Sequence, residues 1–286
     1  MRAAIWMLGA IASFVAMAVA GREISAELDT FELMFYRSVI GFLIVCFFLS
    51  QSPVGFLQLR TRRPGNHIIR NLFHFTGQNL WFYGVAVIPL SQLVALEFTN
   101  PLWVALLAPL LLGEPMTRVR AFAAVLGFTG VLIVSRPGVA PLEWGHVAAL
   151  GAALGFALTT IFTRRIMAHD TVLCVLFWMT LAQGAMGFLL ALPGGIPWPS
   201  APILGWVGVT GVTGITAHFS LTSALRYAPA SVVAPMEFGR LPVIAIVGML
   251  VYDEPLVFAV FLGACVIIAG NLVNLVAEQR RQKVAA

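Results

Sequence analysis

The chain has 286 residues, 60% of them hydrophobic and only 10% charged, with a mean hydropathy of +0.93. A soluble domain keeps about 25% charged residues to solvate its surface, so composition excludes a soluble globule and makes lipid the bulk solvent. Seventeen basic residues against 12 acidic ones give a net charge of +5, a balance that imitates nucleic-acid binding until the positions of the charges are known.

A helix needs about 20 apolar residues to cross a hydrocarbon core about 30 Å thick. That criterion predicts spans over 3–21, 32–50, 67–88, 91–112, 119–135, 145–163, 172–192, 203–224, 229–251 and 256–277. No AxA-like cleavage site follows the first, which reads as a retained helix. Val87–Ser91 turns the chain between the third and fourth spans. The segment PGGIPWPSAP (Pro193–Pro202) splits the uncharged run Thr171–Leu225 into two. The remaining linkers are too short for an attached soluble domain. Cys46, Cys174 and Cys265 each sit alone in an apolar run and read as small buried hydrophobes. Neither a metal nor a cofactor is expected.

Basic residues set the orientation. With both termini cytoplasmic, that side holds Arg2, Arg60, Arg62, Arg63, Arg70, Arg118, Arg120, Arg164, Arg165, Arg226, Arg280, Arg281 and Lys283, against Arg22 and Arg136 opposite. The positive charge therefore faces the bilayer's inner surface, and no nucleic-acid partner is expected.

A shift of 140 residues lays Pro89–Pro115 over Pro229–Pro255 without a gap, with eight of 27 positions identical. Glu97 falls on Glu237, Glu114 on Glu254, Phe98 on Phe238, Ser91 on Ser231, and further on Gly130 on Gly270. Rare acids matching in register divide the chain into residues 1–140 and 141–286, each with five spans. An odd number turns the second half upside down, giving an all-α membrane protein of ten helices in two inverted five-helix repeats. Carriers that work by alternating access use this plan, with the substrate near the midplane.

This ten-span plan, the GEP and DEP endings at Gly113–Pro115 and Asp253–Pro255, and FYRSVIGF at Phe35–Phe42 resemble the EamA family of the drug/metabolite transporter superfamily. The resemblance covers essentially the whole chain and extends to the YddG-type aromatic amino-acid exporters. It implies a bacterial inner-membrane carrier, a monomer or weak homodimer, that exports amino acids, aromatic ones included, or another metabolite or drug-like compound such as a purine or cation.

A charge inside a span costs about 2.5–3.5 kcal/mol on insertion scales, which marks it as a functional candidate. Arg37, Glu97, Glu237 and Arg240 are such charges. Glu97 lies about 9 Å from the start of its helix at 1.5 Å per residue, a depth Arg37 shares, so the two are expected to pair in the outer half. Glu237 and Arg240, three apart, are expected to neighbour each other in the inner half. These charges either contact substrate or form ion pairs that hold the bundle, and Arg37 also fits a family packing or gating role. Glu114 and Glu254 are expected to cap the helix that follows each.

His74, Gln78 and Asn79 on the third span, Asn100 on the fourth, Gln183 on the seventh and His218 on the eighth add polar groups at depth. Gln78 matches His218 under the shift, as symmetry-related cavity positions would, and Asn100 stands where the second half has Arg240. Trp144 and Trp198 belong at the interfaces. Trp81, Trp103 and Trp178 lie deeper, as cavity walls for an amphipathic zwitterion or as packing. Pro101, Pro109, Pro235 and Pro242 interrupt backbone bonding inside two spans. No HExxH, GxSxG or cysteine–histidine pattern supports an enzyme. Off-centre charges fit a carrier better than the like-charged rings of a channel. Proton-coupled and facilitative transport both stay open.

Overall fold

A computed structural model describes residues 2–113, 116–139, 141–167, 169–227, 233 and 236–285, without the side chains of 112, 222, 225, 226, 278 and 281–285. Glu114, Ser231 and Pro235 lie outside the described residues. The regular structure among the described residues is helical throughout: α1 Arg2–Ile24, α2 Thr30–Gln51, α3 Pro64–Val87, α4 Leu90–Glu97, α5 Asn100–Leu112, α6 Arg118–Ser135, α7 Trp144–Ile166, α8 Val172–Ala191, α9 Ala201–Tyr227, α10 Arg240–Tyr252 and α11 Phe258–Ala285.

Local chemistry starts and stops these helices where the sequence allows. Asp29 caps α2 through the amides of Phe31 and Glu32, while Glu32 returns a bond from the Asp29 amide. Pro64 opens α3 at a position whose amide has no helical partner. Thr117 and Thr171 cap α6 and α8. Seven segments among the described residues are long and apolar enough to cross a membrane, counting Leu90–Leu111 as one. Of the others, α3 and α9 are long enough but richer in polar residues, and α10 has only 13 residues.

The fourth span departs from expectation. Instead of one helix over 91–112 the chain makes α4, a turn at Phe98–Thr99, and α5. Pro101 has no N–H for the Glu97 carbonyl, and its ring clashes with that carbonyl in a continuous helix. The expected 229–251 helix breaks likewise: residues 236–237 are helical, Phe238–Gly239 turn, and α10 begins. There Pro242 denies a bond to the Phe238 carbonyl. Both breaks fall at one register of the 140-residue shift, and α5 and α10 both end on a left-handed residue, Gly113 at φ 69° and Asp253 at φ 52°.

Four helix pairs carry most of the packing: α1 with α9, α6 with α11, α3 with α7, and α2 with α8. Each joins a helix before residue 140 to one after it. Glycines set the closest approach. A Cβ on Gly130 would lie 2.6 Å from the Gly263 carbonyl, and one on Gly263 would lie 2.7 Å from the Gly130 carbonyl. One on Gly270 would lie 2.8 Å from the Ala123 carbonyl, the same contact shifted by 140. Here α6 and α11 touch backbone to backbone.

Candidate functional site

The two breaks bring the interior charges together. Glu97 ends α4 and Arg240 begins α10, so both project from interrupted turns into the centre of the bundle. Arg240 Nη2 donates to Glu97 Oε1 at 2.8 Å, and Trp81 Nε1 donates to Glu97 Oε2 at 2.8 Å. The Arg240 guanidinium stacks 4.9 Å from the Phe14 ring and 5.3 Å from the Phe98 ring. Phe98 meets Phe238 edge to face. The Phe98 carbonyl, freed by the break, accepts from Asn271 Nδ2 of α11 at 2.7 Å, which satisfies a buried group that would otherwise be costly.

Arg37 lies apart from this pair. Its Nη1 donates to Gln78 Oε1 and contacts Met34 Sδ at 3.8 Å, and its guanidinium sits 5.6 Å from the Phe82 ring. His74 bonds Gln183 of α8. Phe82 touches Trp81 edge-on at 5.1 Å, and Phe14 faces His218 at 6.0 Å. Successive contacts therefore run from Arg37 through Phe82, Trp81, Glu97, Arg240 and Phe14 to His218, drawing on α1, α2, α3, α4, α9 and α10. His218 is exposed and Glu97, Asn100 and Glu237 are half-buried.

The expected pairing of charges is thus corrected. Glu97 pairs with Arg240 rather than Arg37, and Arg240 gives Nη2 to the acid of the other half rather than to its neighbour Glu237. Sequence spacing ranks partners on one helix, whereas the break turns Arg240 towards α4. Trp103 does not join the group: its ring packs against Phe128 of α6 at 5.3 Å, with Nε1 buried and unpartnered. Arg70, grouped by sequence with the cytoplasmic arginines, is buried in α3, donating to Thr163 and Asn71. Glu254 does cap a helix, but it is α4, through the Leu90 amide at 2.9 Å, and not α11 that follows it. It also pairs with Arg22, whose other nitrogens donate to the Val85 and Ile88 carbonyls. Cys265 is exposed rather than buried. Phe14 gave no signal in an apolar helix; Asn271, an asparagine within the 256–277 run, was a visible one.

Both ends of α2 are tied to the other half by similar groups. At one end the Glu27 carboxylate accepts from the amide and hydroxyl of Ser200, each at 2.6 Å, while Tyr36 Oη donates to the Pro197 carbonyl at 2.7 Å. At the other, Asp170 Oδ2 accepts from Thr61 Oγ1 at 2.6 Å, while Trp178 Nε1 donates to the Leu59 carbonyl at 3.2 Å. The Ser200 hydroxyl and amide hold Glu27 below its ordinary carboxylate range. Burial pushes the Asp170 carboxyl up, but bonds from Thr61 and His67 outweigh it and keep the group low. His67 Nε2 adds a 2.8 Å contact to Asp170, and Cys174 brings a third ligand-type atom within 4.8 Å of that pair.

Residues 1–136 and 143–276 each match the profile of the EamA-like transporter family. A riboflavin transporter of Rhizobium johnstonii is 26% identical, over 98% of this chain and 93% of its own. An S-adenosylmethionine uptake transporter of Rickettsia prowazekii is 25% identical over 96% and 92%. A riboflavin transporter of Vibrio cholerae is 26% identical over 94% and 91%. A solved crystal structure superposes with a TM-score of 0.65 at 20% identity, covering 95% of this chain and 96% of that one, and so shares the fold.

Proposed function

The chain belongs to the EamA-like transporter family, and from that premise we propose that it is an alternating-access carrier of a small heteroaromatic metabolite in the bacterial inner membrane. That it is a multi-pass membrane protein with a small-molecule substrate follows from the family and the apolar helices. The finer reading takes residues 1–140 and 141–286 as inverted five-helix repeats, with both termini cytoplasmic. Support comes from the breaks at Phe98 and Phe238, the matched ends of α5 and α10, and helix pairings that map onto one another under the 140-residue shift.

One observation carries the proposal: Glu97 and Arg240, at matched breaks before and after residue 140, meet among the aromatic rings of Phe14, Trp81, Phe98 and Phe238. A charge pair shared between the halves and flat apolar walls suit a planar ring bearing polar groups. Riboflavin and S-adenosylmethionine, named for the relatives, are of this kind. Their names do not speak for amino-acid export. Aromatic amino acids stay the second reading, favoured by the same aromatic walls. Arg37, His74, Gln78, Asn100, His218 and Glu237 complete the proposed lining, with Trp103 supporting it from behind. The ties at the two ends of α2 serve as gates, one for each face.

Uptake of riboflavin, S-adenosylmethionine and tryptophan into proteoliposomes, with and without a pH gradient, tests the proposal. Saturable flux accelerated by substrate on the opposite side, and lost in Glu97→Gln, is expected. Ohmic conductance, or unchanged flux in the variant, would overturn it.

A further inference from the structure

Arg37 brings a guanidinium into the bundle with one side occupied and the other free. Nη1 carries both polar contacts, to Gln78 Oε1 and Met34 Sδ. Among the described residues Nε and Nη2 have no hydrogen bond, yet neither is sealed against space. The free groups lie on the same edge. The Nε/Nη2 edge presents two parallel N–H vectors, the geometry that takes the two oxygens of a carboxylate or phosphate.

The charge is also uncompensated. Arg37 is 8% exposed, and its partners are an amide oxygen, a thioether and an aromatic face, all neutral. Arg240 and Arg22 differ, since Arg240 has Glu97 and Arg22 has Glu254. Glu32, one turn away on α2, is engaged by the Asp29 amide. A buried cation without a counter-ion is costly, and a second one, Arg70, also bonded only to neutral groups, extends the positive field over His74 and His218. Gly214 of α9 lets the guanidinium lie against the helix backbone: a Cβ there would lie 2.7 Å from Nη2.

We propose that the free edge of Arg37 receives a carboxylate or phosphate of the transported molecule, which supplies the missing counter-ion. The proposal rests on the central site described above and narrows its ligand to an aromatic or heteroaromatic compound that bears a carboxylate or phosphate group. Glu97–Arg240, already neutral as a pair, would then face the ring end of the ligand.

Matched ligands test it on the purified full chain in nanodiscs, by thermal shift. One pair is S-adenosylmethionine and its decarboxylated form; the other is benzoate and benzamide. The acid of a pair should bind about tenfold or more tighter than its partner. Arg37→Gln should erase that difference, and Arg37→Lys, which keeps charge but loses the fork, should restore only part of it. Equal binding within both pairs, no binding by any of the four, or a preference that survives Arg37→Gln overturns the proposal. Benzoate preference without any S-adenosylmethionine binding leaves it standing while the heteroaromatic reading fails. Equal binding within both pairs, with the adenosyl compounds bound, does the reverse.

Discussion

Phe98 and Phe238 occupy the same register of the two interrupted spans, and their rings meet edge to face at 5.0 Å. The contact places the two interrupted turns side by side at the centre of the bundle. What keeps the first of them from reforming a helix is Pro101, and what keeps it satisfied is Asn271. Asn271→Ala should leave the Phe98 carbonyl buried without a donor, costing about 1–3 kcal/mol. Reversible unfolding in detergent measures this. A variant as stable as the parent would show that water replaces the asparagine.

Glu97 and Arg240 should behave differently singly and together. Removing one partner leaves the other's charge uncompensated, a loss of about 3–5 kcal/mol for a buried pair. The single variants Glu97→Gln and Arg240→Gln should therefore each destabilise the protein more than the double variant does. All three should lose uptake. If the double variant transports normally, the pair holds the bundle and does nothing for substrate.

The tie at Asp170 should resist ordinary acidification. Its carboxyl titrates below the ordinary 3.8 because Thr61 and His67 donate to it against the effect of burial. A lowered folded value contributes stability that is fully present above the unfolded value and is lost as pH falls through the folded one. Exchange protection of the 59–61 and 169–171 amides should thus be flat from about pH 5 to pH 8 and fall only below the usual carboxylate range. Loss of protection between about pH 5 and pH 7 would show that the Asp170 carboxyl does not control the tie.

Gly130 offers a packing test. Adding a methyl group forces α6 away from the Gly263 carbonyl, and Gly130→Ala should cost about 1–3 kcal/mol. Gly205→Ala on α9, where nothing lies within 4 Å, should gain about 0.5–1 kcal/mol from helix propensity. Equal effects of the two would mean that the helices separate without penalty.

Hydropathy made the spans legible because lipid imposes one rule on every lipid-facing residue. Thr30–Gln51 and Arg118–Ser135 fall within two residues of the 32–50 and 119–135 segments expected. The prolines inside two spans were visible, but which of them ends a helix was not: Pro109 lies within α5, whereas the chain turns just before Pro101. Partner choice was not legible either. Which acid Arg240 meets depends on how α10 leaves its turn, and which helix Glu254 caps depends on the approach of α4. Neither is written in spacing along the chain. Phe14 became part of the central group for the same reason: an apolar residue in an apolar helix shows its neighbour only after the helices assemble.

The contact of Gly130 with Gly263 has a mechanical meaning. With no side chain between the two backbones, α6 and α11 have little play to slide or rotate against each other, and the same restraint recurs where Gly270 meets Ala123. The seam becomes a fulcrum. Movement that opens one face must then pivot about it and part the hydrogen bonds at an end of α2, while the approach of Gly187 to the Phe31 carbonyl keeps α2 and α8 packed along their length. Stiffness along the packed seams thereby leaves the ends of α2 as the places where the protein yields.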